Sequence, residues 1–358
     1  MNDSAIAEAI RRVEETPLNE LVNVSVDDVQ VQMDRLLQTD VDCASLYRRW
    51  ETQQWAVSDL DFSKDRVHWT NLPGGVRATL QNTMTAFFIG EQAVTDTLSP
   101  ILHAAPHEDE RIFLATQIAD EARHTVFFQR FFDEVVGIGG GLHAALAELK
   151  PKTRQGYRQI FDVELVGATE KCRIDPSDRK AWVEAVATYH LIIEGFLALG
   201  GQRATLRLLR SVGMLPGFVS GFTAIARDES RHIGFGVLAL RRRVEADPEM
   251  GRVLARKIYD LLEPAVSTIV SPDAKLPFNH ITEIPEPMRV NTLEARSFAI
   301  ESLSKRLRAS GLSEQVVAEI GHHIRGIYER LWSLYEANHG VEHPIRYWQS
   351  LEKEGVAV

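Results

Sequence analysis

Two short words, Glu121-x-x-His124 and Glu229-x-x-His232, constrain this chain more than anything else in it. On an α-helix, residues three apart lie on one face, one turn from each other. Each word therefore presents a carboxylate and an imidazole together. Each is also preceded by a lone glutamate inside an apolar helical stretch: Glu91 lies 30 residues before Glu121, and Glu194 lies 35 before Glu229. The flanks, IFLATQIADEARHTVFF and ATYHLIIEGFLALG, are apolar. Carboxylates in such surroundings are costly unless they are paired or bound to metal.

One such motif on a helix is common and means little. Two, each with its own upstream glutamate, match the carboxylate-bundle pattern in which four helices project four Glu and two His around two iron or manganese ions. Charge agrees with this, since four carboxylates balance two divalent cations and leave a neutral core. Oxygen and imidazole donors suit iron and manganese, whereas thiolates would favour zinc or iron–sulfur clusters. The candidate ligands are thus Glu91, Glu121, His124, Glu194, Glu229 and His232. A competing reading has Arg123 and Arg231 forming surface ion pairs with the motif glutamates, but it leaves the apolar flanks unexplained.

Helical distances are compatible with convergence. Glu91 lies about nine residues before Pro100, roughly 14 Å, and the next helix returns about 14 residues to Glu121, roughly 20 Å. The second pair, Glu194 to Gly213 and Pro216 back to Glu229, matches less well, so tilt or the loop must absorb the difference. Helices are expected at about 76–99, 107–136, 154–172, 178–211, 216–246, 250–268, 292–309 and 313–338, with breaks at Pro100, Gly137–Gly141, Pro176, Pro216-Gly217 and Pro248. Ser25-Val26-Asp27-Asp28 reads as a helix start. Residues 46–72 read as mostly irregular. The stretch 271–291, with Pro272, Pro277, Pro285 and Pro287, is too long for an ordinary connection and reads as a covering loop or as hidden structure.

The expected fold is all-α: a ferritin-like helical bundle with a dinuclear metal site in its core and extra N- and C-terminal helices. Three regions are expected: an extension over 1–45, the metal domain over 46–270, and a C-terminal loop with helices over 271–358. A net charge of −10 argues against nucleic acid as a partner. The two cysteines, Cys43 and Cys172, suggest free thiols in a reducing cytoplasm. The polar, charged N-terminus argues against a signal peptide, and no uninterrupted apolar run of membrane-spanning length stands out.

At these residues the chain resembles the small, radical-generating subunit of ribonucleotide reductase and its relatives. The resemblance covers roughly 50–245 and rests on WAVSDLDFSKDRVHW, GEQAVTD, DEARHTVFF, YHLIIEG and RDESRH, which appear in the family's order. It implies that Trp55 and Asp228 link the surface to the metal-bound His124, here read mainly as a hydrogen-bonded support for that ligand. The position of the usual radical tyrosine is occupied by Phe128. The first ligand is Glu91, where many reductases use aspartate. Val94 lies one turn after Glu91, and Tyr189 lies five residues before Glu194. Together with Tyr157–Phe161, this pairing looks like the ligand-binding oxidases related to the reductase subunit.

That resemblance implies an oxidase using O2, with a manganese and iron pair or two irons. It implies an ether cross-link between Val94 and Tyr189, and a buried long-chain fatty acid-like ligand near the metals. Ala198, one turn beyond Glu194, is small enough to leave room for one. The unmatched ends would cover the ligand tunnel or form the surface of a homodimer. Two alternatives stand beside this reading. One is a reductase small subunit lacking the radical tyrosine, with a large partner subunit. The other is a metal-storage shell. The tail, LEKEGVAV, has no aspartate followed by phenylalanine or leucine and weakens the first. The unsymmetrical extensions weaken the second. His322 and His323 read as surface or packing residues.

Overall fold

The computed structural model describes residues 3–38, 40–276, 278 and 280–354. Pro277 and the tail residues 355–358 lie outside them. The described residues form sixteen α-helices and no strand. In chain order these begin with α1 (Asp3–Glu15), α2 (Val26–Arg35), α3 (Cys43–Thr52), α4 (Ser63–Asn71), α5 (Gly74–Ala104), α6 (Glu108–Phe131) and α7 (Gly141–Leu149). Next come α8 (Gln155–Arg158), α9 (Val166–Ile174), α10 (Arg179–Val186), α11 (Leu199–Ser211) and α12 (Pro216–Ala246). The chain closes with α13 (Pro248–Val270), α14 (Thr292–Ala309), α15 (Glu314–His339) and α16 (Ile345–Lys353). Wide π-helical segments continue α6 over Phe132–Val136, join α8 to α9 over Gln159–Leu165, and join α10 to α11 over Ala187–Ala198. One hydrophobic core runs unbroken from Val13 to Ile345.

Four long helical rods form the centre: α5, α6, the α10–α11 rod, and α12. The α5–α6 pair is antiparallel and closely packed, and α12 is buried along almost its whole length. Around them, α2 and a 3-10 turn at Leu18–Asn23 cover α12, with α1 packed on α2, while α13 and α14 cover the α10–α11 side, with α15 packed on both.

Three expectations need correction. Residues 46–72 are not irregular, for α3 and α4 occupy much of them. The start of α3 is set by Asp42, which accepts from Ser45 N at 2.7 Å while the Ser45 hydroxyl accepts from Asp42 N, a reciprocal cap hidden in a polar stretch. Pro100 does not end α5, which runs on to Ala104. The carbonyl that proline leaves without a donor belongs to Asp96, an exposed residue, so water can satisfy it. Finally, the rod Arg179–Ser211 is long and apolar enough to cross a membrane by length and composition. Its polar interruptions, His190 and Glu194, hid this in the sequence. Within the protein 78% of its apolar window is buried, covered by the surrounding helices.

The described residues of the stretch 271–291 form a covering loop. It holds two single 3-10 turns, Ile281–Glu283 and Glu286–Met288, and lies against α15, where Tyr335 Oη accepts from Leu276 N at 3.3 Å.

Candidate dinuclear metal centre

The four rods bring all six sequence-predicted ligands to one buried point. Glu91 projects from α5, Glu121 and His124 from α6, Glu194 from the π segment of the α10–α11 rod, and Glu229 and His232 from α12. Their donor atoms form two sets that share members. Glu91, Glu121, His124 and Glu229 make one, and Glu121, Glu194, Glu229 and His232 make the other. Glu121 and Glu229 belong to both, the placement required of bridging carboxylates.

The lone glutamate of the second pair was the one that helical arithmetic fitted badly. The π segment Ala187–Ala198 resolves this, because i→i+5 bonding packs more residues into each turn and so shortens the rod. It also widens the helix where Tyr189 and Glu194 face the site.

His124 Nδ1 lies 3.4 Å from Glu91, 3.5 Å from Glu121 and 3.6 Å from Glu229. His232 Nδ1 lies 3.1 Å from Glu121, 3.3 Å from Glu194 and 3.5 Å from Glu229. Donors held roughly 2.1 Å from one ion are spaced about 3.0–3.4 Å from each other. Both Nδ1 atoms, together with Glu194 Oε2 and Glu229 Oε2, are buried without a hydrogen-bond partner. Orphaned polar atoms of this kind need a partner such as an ion. The residues therefore fit a pair of metal ions.

Charge inside the cluster is poised for cations. Burial pushes Glu91 and Glu194 well above the usual carboxylate range. Burial also acts to raise Glu121, but the nearby imidazoles of His124 and His232 outweigh it and hold this carboxyl well below that range. Both histidines are pulled down by burial, yet the surrounding carboxylates lift them well above the ordinary imidazole value.

Each histidine is held from behind by the other motif. His124 Nε2 lies 3.2 Å from Asp228, and His232 Nε2 lies 3.2 Å from Asp120. Arg231 is 1% exposed and donates to both aspartates, at 2.7 Å to Asp228 and 2.9 Å to Asp120. It is thus a buried tie between supports, which removes the surface-pair reading for it. Arg123 pairs with Asp120 at 3.1 Å and lies over the Trp55 ring at 5.4 Å. Trp55 Nε1 donates to Asp228 at 2.8 Å.

Asp120 escaped the sequence reading, although a signal for it was present. Both words are longer than they first look: Asp120-Glu121-Ala122-Arg123-His124 and Asp228-Glu229-Ser230-Arg231-His232 share Asp-Glu-x-Arg-His. Gln117 and His190 were missed as well. Gln117 Nε2 donates to Glu194 at 3.0 Å, and its oxygen faces His190 Nε2 at 3.1 Å. Burial pushes His190 down to about 3, so it is neutral and its Nε2–H can donate.

The remaining positions divide cleanly. Tyr189 donates its hydroxyl to Glu121 at 2.6 Å, and burial, then Glu121, keeps the phenol well above its usual pKa. Val94 is buried and lines the same cavity as Tyr189. Phe128 is fully buried among Phe87, Phe127, Phe218 and Phe222. His322 and His323 are exposed on α15, outside either donor set.

A cavity of about 680 Å³ opens beside the ligands. Its wall includes Glu91, Glu194, Ala198 and Phe196, and also Ala274–Leu276, Val290, Tyr328 and Trp332 from the C-terminal region. Tyr157 stacks on Phe161 in the same wall, and its hydroxyl donates to Ala86 O at 3.0 Å.

Four helices converging six carboxylate and imidazole side chains in two linked sets define a ferritin-like bundle with a dinuclear carboxylate site. The chain belongs to the ribonucleotide reductase small chain family, whose model matches residues 38–268. Among solved structures, it is similar to R2-like ligand-binding oxidases. A valine-to-isoleucine variant with an anaerobically reconstituted Mn/Fe cofactor is 25% identical, with a TM-score of 0.65 over 76% of this chain and 94% of that one. A valine-to-leucine variant prepared in the same way gives the same figures. So does a glycine-to-leucine variant with a non-activated Mn/Mn cofactor.

Proposed function

We propose that this chain is an O2-dependent oxidase whose six ligands, Glu91, Glu121, His124, Glu194, Glu229 and His232, hold a manganese and an iron ion, with two irons as the lesser choice. The observation that carries this is the pair of linked donor sets opening onto a cavity that also contains Val94 and Tyr189. The Mn/Fe cofactors named for the similar oxidases support the choice of metals. The ligand is a buried hydrophobic molecule, fatty acid-like, and the C-terminal region serves as an accessory wall for it.

When bound, the metal pair would supply the redox chemistry that reduces O2. The protein's own residues do the rest. Asp120, Asp228 and Arg231 fix the histidine rings, and the aromatic packing around Phe128 keeps water out. Tyr189 hands its proton toward Glu121, the acceptor 2.6 Å away. In the cross-link, the Val94 Cβ–H and Tyr189 O–H bonds break and an O–C bond forms. The two electrons released go to O2, and the two protons, that of Tyr189 by way of Glu121, follow them onto the oxygen.

A reductase small subunit without its tyrosine is less well supported. The large cavity beside the ligands has no use in that role. Intact-protein mass spectrometry after loading with Mn(II) and Fe(II) in air tests the proposal. Loss of two hydrogens, mapped to the peptides holding Val94 and Tyr189, is expected. An unchanged mass in fully metal-loaded, air-exposed protein would count against it.

A further inference from the structure

A second, smaller pocket of about 210 Å³ lies between α11, the end of the covering loop and the first turns of α14. Its wall is basic. Arg203 and Arg207 come from α11, four residues apart and so on one face of the helix. Arg289 comes from the covering loop. Like charges at this helical spacing repel, and the wall holds one carboxylate to offset them, Glu294. Arg203 and Arg207 both donate to the same atom, Glu294 Oε1, at 2.8 Å and 2.7 Å.

That shared oxygen leaves much of the donor capacity unused, since each guanidinium carries five N–H groups. Arg203 Nε is buried and has no hydrogen-bond partner. Asp27, exposed and outside the wall, lies 3.7 Å from Arg203. Arg289 donates to the carbonyls of Ile284 at 2.9 Å and Thr282 at 3.5 Å, and among the described residues no carboxylate pairs with it. Three guanidiniums thus meet one carboxylate in the wall, within a chain whose net charge is −10. Arg203 is also held in place, 14% exposed and lying over the Phe298 ring at 4.3 Å. Planar guanidinium forks bind carboxylate and phosphate oxygens in pairs. A single carboxylate would offset only half of the surplus of two charges, whereas a phosphate group carries about −1.5 to −2 at neutral pH. Forks arriving from a helix and from a loop also suit oxygens arranged as a tetrahedron better than oxygens in one plane.

We propose that this pocket is a phosphate-binding site, which holds inorganic phosphate or the phosphate end of a small ester on Arg203, Arg207 and Arg289. Two of these arginines belong to the bundle and one to the covering loop, so the bound phosphate ties the loop down. Val290 and Ala295 are shared with the wall of the metal cavity, and an occupied pocket steadies that wall too.

Calorimetric titration of the metal-loaded protein with inorganic phosphate and with glycerol 3-phosphate, against chloride at equal ionic strength, tests it. Arg207→Gln and Arg289→Gln should each weaken phosphate binding about ten-fold or more, the loss of a hydrogen bond to a charged group. Glu294→Gln removes the competing carboxylate and should tighten binding. Phosphate should also slow tryptic cleavage after Arg289. Unaltered metal content and melting temperature show that the variants are folded. An ester that binds as well as phosphate or better assigns the pocket to a phosphorylated molecule, and a weaker one assigns it to phosphate itself. Failure of both probes to bind at millimolar concentration overturns the inference. So does phosphate binding that is unchanged in Arg207→Gln or Arg289→Gln, which places the anion elsewhere, the metals included. Unchanged tryptic cleavage in phosphate-saturated protein overturns it as well.

Discussion

Asp120, on the helix of the first metal motif, lies 3.2 Å from His232 of the second. Asp228 on the second holds His124 of the first at the same distance, so the motifs brace each other crosswise. Each histidine is gripped at Nε2, which turns Nδ1 toward the carboxylates. A carboxylate behind a ligating imidazole fixes its orientation and raises its basicity.

Removing a brace should therefore loosen the metals without changing the ligands. Asp120→Asn or Asp228→Asn is expected to weaken metal binding about 10–100-fold. Competition against a chelator of known affinity measures it. Unchanged affinity in both variants would show the crosswise contacts to be incidental.

Tyr189→Phe removes the phenol oxygen and keeps the ring. Metal content should stay at two ions per chain, while the loss of two hydrogens seen by mass spectrometry disappears. Persistence of that loss in the variant would place the oxidation at a different residue.

Close approach of α12 to the π segment is bought with a glycine. A Cβ on Gly236 would collide with His190, the residue that orients Gln117 against Glu194. Gly236→Ala should destabilise the fold by about 1–3 kcal/mol, the usual cost of overpacking. Thermal unfolding reads the stability, and metal titration shows whether the site loosens with it. An unchanged melting temperature would contradict the packing argument.

His343 gives a pH signature far from the metals. Its ring packs between Trp332 and Tyr335, and burial pushes its pKa down to about 4 from 6.5. Above pH 6.5 both folded and unfolded chains hold it neutral, and the stability is fully present. As pH falls from 6.5 toward 4, only the unfolded chain takes up the proton, so stability declines. His343→Gln should flatten the denaturation midpoint across this window relative to the unaltered chain. A slope that is the same in both proteins would exclude His343 as its source.

Most helices were legible because long apolar periodicity survives in α5, α6, α12 and α13. The six converging side chains were legible for a different reason: buried carboxylates three residues from histidines are too costly to lack a purpose. What stayed hidden was local or tertiary. The reciprocal cap of Asp42 and Ser45 sits in a polar stretch with no apolar stripe, so α3 looked irregular. A π segment leaves no periodic trace that a 3.6-residue pattern would reveal. Asp120 was visible in the shared Asp-Glu-x-Arg-His words, but its partner, His232, lies 112 positions away. The cavity wall draws on Tyr157, Ala198, Leu276 and Trp332, residues brought together only by packing.

Metal content per chain tests the central claim most directly. Plasma mass spectrometry on protein loaded with Mn(II) and Fe(II) should give two ions per chain. Glu121→Ala, which removes a ligand shared by both donor sets, should lose both, whereas Glu91→Ala, which touches one set, should retain close to one. Two ions in the Glu121→Ala variant would contradict the account.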